Sequence, residues 1–185
     1  MSKKILWLIP MMLLVALFSI GKLVSAEVVS SLPTAQKGNA TTVKTPSVVA
    51  SSTDFIWPTT VTHLVRGIQP GHTGLDITSN SGRATTFGQP TFAAKDGVVT
   101  FAGWNSGGYG NLIRIDHGGG IETYYAHHSQ IFVSVGEHVT RGQTIGAIGD
   151  TGRSTGSLLH FEIRYNKKIL NPLNYVKPPT SDPVK

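Results

Sequence analysis

The sequence contains no cysteine. Disulfides and thiolate ligands are therefore excluded, and any metal must be held by histidine and carboxylate, a pattern that fits an exported protein. Charge is also sparse, at 14 % of residues against roughly 25 % in an average globular chain, which excludes a charge-rich disordered polymer. After Gly21 no stretch of ten or more residues keeps a 3.6-residue apolar period, which excludes a helical bundle. No nucleic-acid-binding motif is present. The only long apolar run covers residues 5–20, interrupted by Pro10.

That run has the layout of an export signal. Lys3 and Lys4 precede it, and Val24-Ser25-Ala26 supplies small residues of the kind a signal peptidase reads, with Glu27 next. Its 16 residues fall short of the ~20 of a typical spanning helix, so residues 1–26 read as a signal peptide or an uncleaved anchor. Either way the body is expected outside the cytoplasm, touching a membrane only through this segment. The formal charge is +6, but Lys3, Lys4 and Lys22 lie in residues 1–26, leaving 13 basic against 10 acidic residues, a net +3.

Residues 27–53 are rich in Ser, Thr, Val and Ala, with Pro33 and Pro46, and read as a flexible tether. From Asp54 the pattern changes to short β-branched and aromatic runs separated by glycine turns. Strands are expected near 61–65, 75–78, 91–94, 97–104, 112–116, 122–127, 131–135, 144–148 and 158–164. The expected fold is mainly β, an antiparallel two-layer domain over residues 54–176, with Phe55 and Trp57 in its core. Residues 171–175 should close it with a short turn, and residues 177–185 form a proline-rich tail.

Within this frame, Gly71-His72-Thr73-Gly74-Leu75-Asp76-Ile77 places a histidine and a carboxylate in H-x-x-x-D, at a turn entering an apolar strand. A turn accounts for the glycines but not for the histidine. Far along the chain, alternation on 158–164 points Leu159, Phe161 and Ile163 to the core and Leu158, His160 and Glu162 to the other face. His72, Asp76 and His160 together make two imidazoles and one carboxylate, a common set for a catalytic zinc that keeps a fourth position for water. The same set can hold Fe(II) in oxygenases, although the spacing disfavours it. Of the seven histidines, His63, His117, His128 and His138 read as surface or turn residues.

The ordered series H-T-G-L-D-I (72–77), K-D-G-V-V (95–99), G-G-Y-G-N-L-I-R-I-D-H (107–117), Y-A-H (125–127), G-D-T-G-R-S-T-G (149–156) and L-H-F-E-I (159–163) resembles the lysostaphin/LytM-type zinc metallopeptidases, which cut peptide cross-links in peptidoglycan. The resemblance implies that fold, the duplicated hybrid motif type, with zinc on His72, Asp76 and His160 and a catalytic histidine at His127. It departs at one place: the family's H-x-H reads L-x-H here, with Leu158 at the first histidine. Two such side chains on one strand face lie ~7 Å apart. Leucine there offers no proton, donor or lone pair.

Two functions follow. One is a zinc-dependent peptidoglycan endopeptidase of reduced activity, with His127 orienting water or stabilising the oxyanion and His128 or Glu162 as substitutes for the missing group. The other is an impaired module that binds peptidoglycan or regulates another wall hydrolase. Tyr109 and Asn111, in a glycine-rich loop, are candidate substrate contacts, and Arg153 could meet a stem-peptide carboxylate.

Overall fold

A computed structural model describes residues 54–179. The expected export segment (1–26), the tether (27–53) and the end of the tail lie outside these residues. Among the described residues no helix is long and apolar enough to cross a membrane.

Among the described residues eleven strands form two sheets, and every pairing is antiparallel. The strands are β1 (His63–Arg66), β2 (Leu75–Thr78), β3 (Pro90–Phe92), β4 (Gly97–Asn105), β5 (Gly110–Asp116), β6 (Ile121–Ala126), β7 (His128–Ile131), β8 (His138–Val139), β9 (Thr144–Ile148), β10 (Leu159–Tyr165) and β11 (Lys168–Leu170). The larger sheet runs β1-β2-β10-β6-β5-β4-β8, with β11 on the far half of β10, and the smaller runs β3-β9-β7. Among the described residues, helix is limited to the single turn α1 (Arg83–Thr86) and a 3₁₀ turn at Pro172–Asn174. The mainly β, antiparallel reading of the sequence therefore holds.

The core lies between the sheets. Leu159, Phe161 and Ile163 of β10, Leu75 and Ile77 of β2, and Ile113 and Ile115 of β5 are fully buried there with Ile145 and Ile148 of β9. Alternation thus places the apolar side chains as expected. Tyr125 joins them, its hydroxyl bonded to the Ala94 amide and the Thr123 hydroxyl, with burial pushing its pKa up to about 12. Phe55 and Trp57 are core residues, and the Trp57 indole donates to the Val61 carbonyl at 2.7 Å.

Three expectations need correcting. Residues 131–135 do not form a strand, because β7 begins earlier and ends at Ile131. His127 does not belong to the strand before it, because its φ of +65° breaks the ladder where the chain leaves the larger sheet for the smaller. His128 is neither a surface nor a turn residue: it sits on β7 with no exposed area. The left-handed backbone at His127 resets the side-chain parity between β6 and β7. His63 and His138 are exposed, and His117 sits in the turn after β5, held by the Asp96 carbonyl and Thr123 hydroxyl.

Candidate metal centre

The opposite face of β10 carries His160 and Glu162. Across the ladder His160 lies directly opposite Asp76 of β2, so antiparallel register alone brings those two side chains together. His72 arrives from the preceding turn, closed by the reciprocal Gln69–His72 backbone bonds of 3.1 and 2.8 Å. Gly71 holds φ +79° in that turn. Gly74 serves a different need. A Cβ there would collide with the Phe161 carbonyl and lie 2.9 Å from Glu162 Cγ and 3.0 Å from His160 Cε1. The turn can lie on β10 only without a side chain at 74. Gly74→Ala is expected to destabilise the domain by about 1–3 kcal/mol, the usual range for forced overpacking. A thermal midpoint unchanged from the wild type would refute this.

His72 Nε2 lies 3.0 Å and His160 Nδ1 2.8 Å from the same Asp76 Oδ1, and the three ligand atoms all fall within 4.8 Å of one another. The outer bonds decide the tautomers. His72 Nδ1 is 2.8 Å from the Gly67 carbonyl, which can only accept, so Nδ1 carries the proton and Nε2 is bare. His72 Nε2 is buried and has no hydrogen-bond partner among the described residues. His160 Nε2 donates to Glu162 Oε1 at 3.0 Å, which turns its Nδ1 inward. A bare nitrogen, a carboxylate oxygen and a second imidazole nitrogen therefore converge. Without a cation, His160 Nδ1 and Asp76 Oδ1 share a hydrogen bond of 2.8 Å and the His72 nitrogen is left over; a cation would take the place of that shared proton and give all three atoms a partner. This donor set fits a divalent metal.

The electrostatics agree. Burial raises the Asp76 pKa, but the hydrogen bond and charge of His160, with His72 close by, outweigh it and hold the group below the usual carboxylate range. Burial opposes a charged His160, yet Asp76 and Glu162 raise its pKa overall. His127 is shifted the other way, chiefly by burial, with the Thr151 carbonyl opposing. Its Nδ1 sits 2.7 Å from that carbonyl, leaving Nε2 without a protein partner among the described residues. The His127 and His160 rings meet edge-on at 5.9 Å. A neutral imidazole so placed can accept a proton beside the ligand set.

These groups line an open cleft of about 250 Å³, with Arg66, Tyr109 and Arg153 at its borders. Tyr109 is in the lining, whereas Asn111 is not: its amide donates to the His128 carbonyl and its backbone N–H to Thr151 Oγ1. Leu158 is half-buried, bridged to Gly149 before β10 begins, and is also outside the lining. Arg66, 4.0 Å from Asp76 Oδ2, went unread in the sequence because nothing in the run before β2 marks it.

Residues 70–172 match the family described as Peptidase family M23. Among curated proteins, the chain is 45 % identical over 107 residues to DD-carboxypeptidase/endopeptidase Mpg of Neisseria meningitidis, covering 58 % of this chain and 23 % of that one. It is 35 % identical over 158 residues to the murein hydrolase activator NlpD of Salmonella dublin, covering 84 % and 39 %. The chain thus spans well under half the length of either relative. Among solved structures, a zinc-containing peptidase from Vibrio cholerae superimposes with a TM-score of 0.57 at 30 % identity, covering 64 % of this chain and 39 % of that one.

Proposed function

The chain belongs to peptidase family M23, and from that premise we propose that it is a zinc-holding, peptidoglycan-directed module of the cell envelope that binds wall peptides and regulates another wall hydrolase, its own hydrolysis being slow. The observation that carries this reading is the side chain at 158. One free imidazole nitrogen, His127 Nε2, serves the ligand set, and the position where the resemblance to the lysostaphin/LytM-type peptidases implies a second imidazole holds Leu158. Losing one general base or oxyanion donor typically lowers a rate by ~10²–10⁴-fold. The similarity to a protein named a murein hydrolase activator supports the same direction. Residues 54–176 form the wall-directed domain in this reading, delivered outside the cytoplasm by residues 1–26.

His72, Asp76 and His160 would hold the zinc. When bound, zinc supplies Lewis acidity toward a peptide carbonyl. The chain's own residues then divide the remaining tasks. His127 accepts a proton at Nε2, while Arg66 and Arg153 draw the carboxylates of a stem peptide to the cleft. The openness of that cleft suits an extended, cross-linked peptide.

A second reading, a slow endopeptidase in its own right, is favoured by the complete donor set standing beside His127. One experiment separates the two. The protein is added to purified peptidoglycan with and without zinc, and three quantities are followed: co-sedimentation, release of new amines, and the rate of a separate wall hydrolase. Co-sedimentation with faster action of the second hydrolase and little amine release supports the regulator. Brisk amine release that His72→Ala abolishes selects the peptidase.

A further inference from the structure

We propose that Glu162 is a positioning residue that aims His160 at the metal and ties the ion to both walls of the cleft. This rests on the reading that His72, Asp76 and His160 hold zinc. Glu162 is fully buried, and its two oxygens gather donors from three separate pieces of the chain. Oε1 accepts from His160 Nε2 at 3.0 Å, Thr73 Oγ1 at 2.5 Å and the Tyr109 hydroxyl at 2.9 Å. Oε2 accepts from Arg164 Nε at 2.6 Å and meets its terminal nitrogen at 2.5 Å. The same nitrogen donates to the Tyr109 hydroxyl at 2.9 Å, so that oxygen accepts from Arg164 and donates to Glu162.

A carboxylate has about four lone-pair sites. Here all are directed at protein donors and none is open to the cleft, so Glu162 cannot replace the missing base, a role the sequence left open to it. Its position instead defines its task. Thr73 belongs to the turn that carries His72. Tyr109 belongs to the loop between β4 and β5, and its carbonyl accepts the His127 backbone N–H at 2.9 Å. One buried anion therefore links the ligand strand, the ligand turn and the loop that seats His127. Holding the proton on His160 Nε2 keeps Nδ1 available to a cation, the outer partnership that typically strengthens metal binding by 10–100-fold.

The test uses the full chain in mild detergent, with zinc affinity measured by chelator competition and the fold followed by near-ultraviolet circular dichroism. Glu162→Gln is expected to bind zinc about 10–100-fold more weakly than wild type. A folded Glu162→Gln protein within twofold of wild type would overturn the proposal. Tyr109→Phe supplies an independent arm. In the wild type, zinc should slow amide exchange both at 71–74 and at 107–110; in Tyr109→Phe it should still slow 71–74 but no longer 107–110. Persistence of the effect at 107–110 would also overturn the proposal, and this arm decides the matter if Glu162→Gln fails to fold. Failure of the wild type to bind zinc is a separate outcome, and it removes the metal reading itself.

Discussion

Leu158→His is expected to raise zinc-dependent release of amines from purified peptidoglycan by about 10²–10⁴-fold, the usual contribution of one general acid–base or oxyanion group. The substitution is sterically mild. Leu158 is half-buried, and its backbone N–H donates to the Gly149 carbonyl at 3.1 Å, a bond that any side chain leaves intact. Strand alternation puts residue 158 on the same side as His160, ~7 Å along the chain; Leu158 itself stops short of the cleft lining, and the longer, polar imidazole is expected to extend toward it. Zinc content must be equal in both proteins for the comparison to hold. Equal content with an unchanged rate would mean that the leucine is not what slows turnover, and the regulator reading would lose its main support.

The second expected result concerns acid. His128 has no exposed area, its Nδ1 bonds to the Asn111 carbonyl at 3.2 Å, and its Nε2 has no partner among the described residues. Burial is the main cause holding its pKa down to about 4, from an ordinary value of 6.5. The unfolded chain therefore binds a proton that the folded chain refuses between those two values. His128 contributes stability above pH 6.5, and that contribution is lost as pH falls toward 4; the shift corresponds to about 3 kcal/mol. His128→Leu keeps the bulk and removes the titration. Urea unfolding of the metal-free proteins at several pH values between 7.5 and 4 should show the wild type losing about 3 kcal/mol more than the variant. His117 and His127, shifted in the same direction, remain in both proteins and cancel in the difference. Parallel stability curves would contradict the assignment.

The contrast between these two positions shows what a sequence can carry. The role given to 158 comes from the resemblance to the family's H-x-H, and only its direction from alternation, since Leu159, Phe161 and Ile163 of the adjoining β10 mark the core face unambiguously. The H-x-x-x-D turn was equally legible, since its histidine had no packing explanation. His128 was not legible, because one left-handed residue before it, His127, turns the chain from one sheet to the other. Nor was the enclosure of His160 and Glu162. Alternation says which face a side chain takes, but not whether distant loops will cover that face. Here the turn before β2 and the loop before β5 do so, and the face of β10 opposite the core becomes a buried network. β8, β11 and α1 were missed for a simpler reason: with two, three and four residues, they are too short to show a period.

The rims of the larger sheet have their own consequence. β1 is four residues long and loses register between Leu64 and Arg66, and β8 is a mere two residues. Strand borders this brief and irregular give an incoming chain almost no row of free amides to copy, which protects the protein against edge-to-edge aggregation. They also dictate how a guest can be read. On the function proposed above, a wall peptide would gain little from joining either border as one more strand, and its recognition would fall to the side chains it meets.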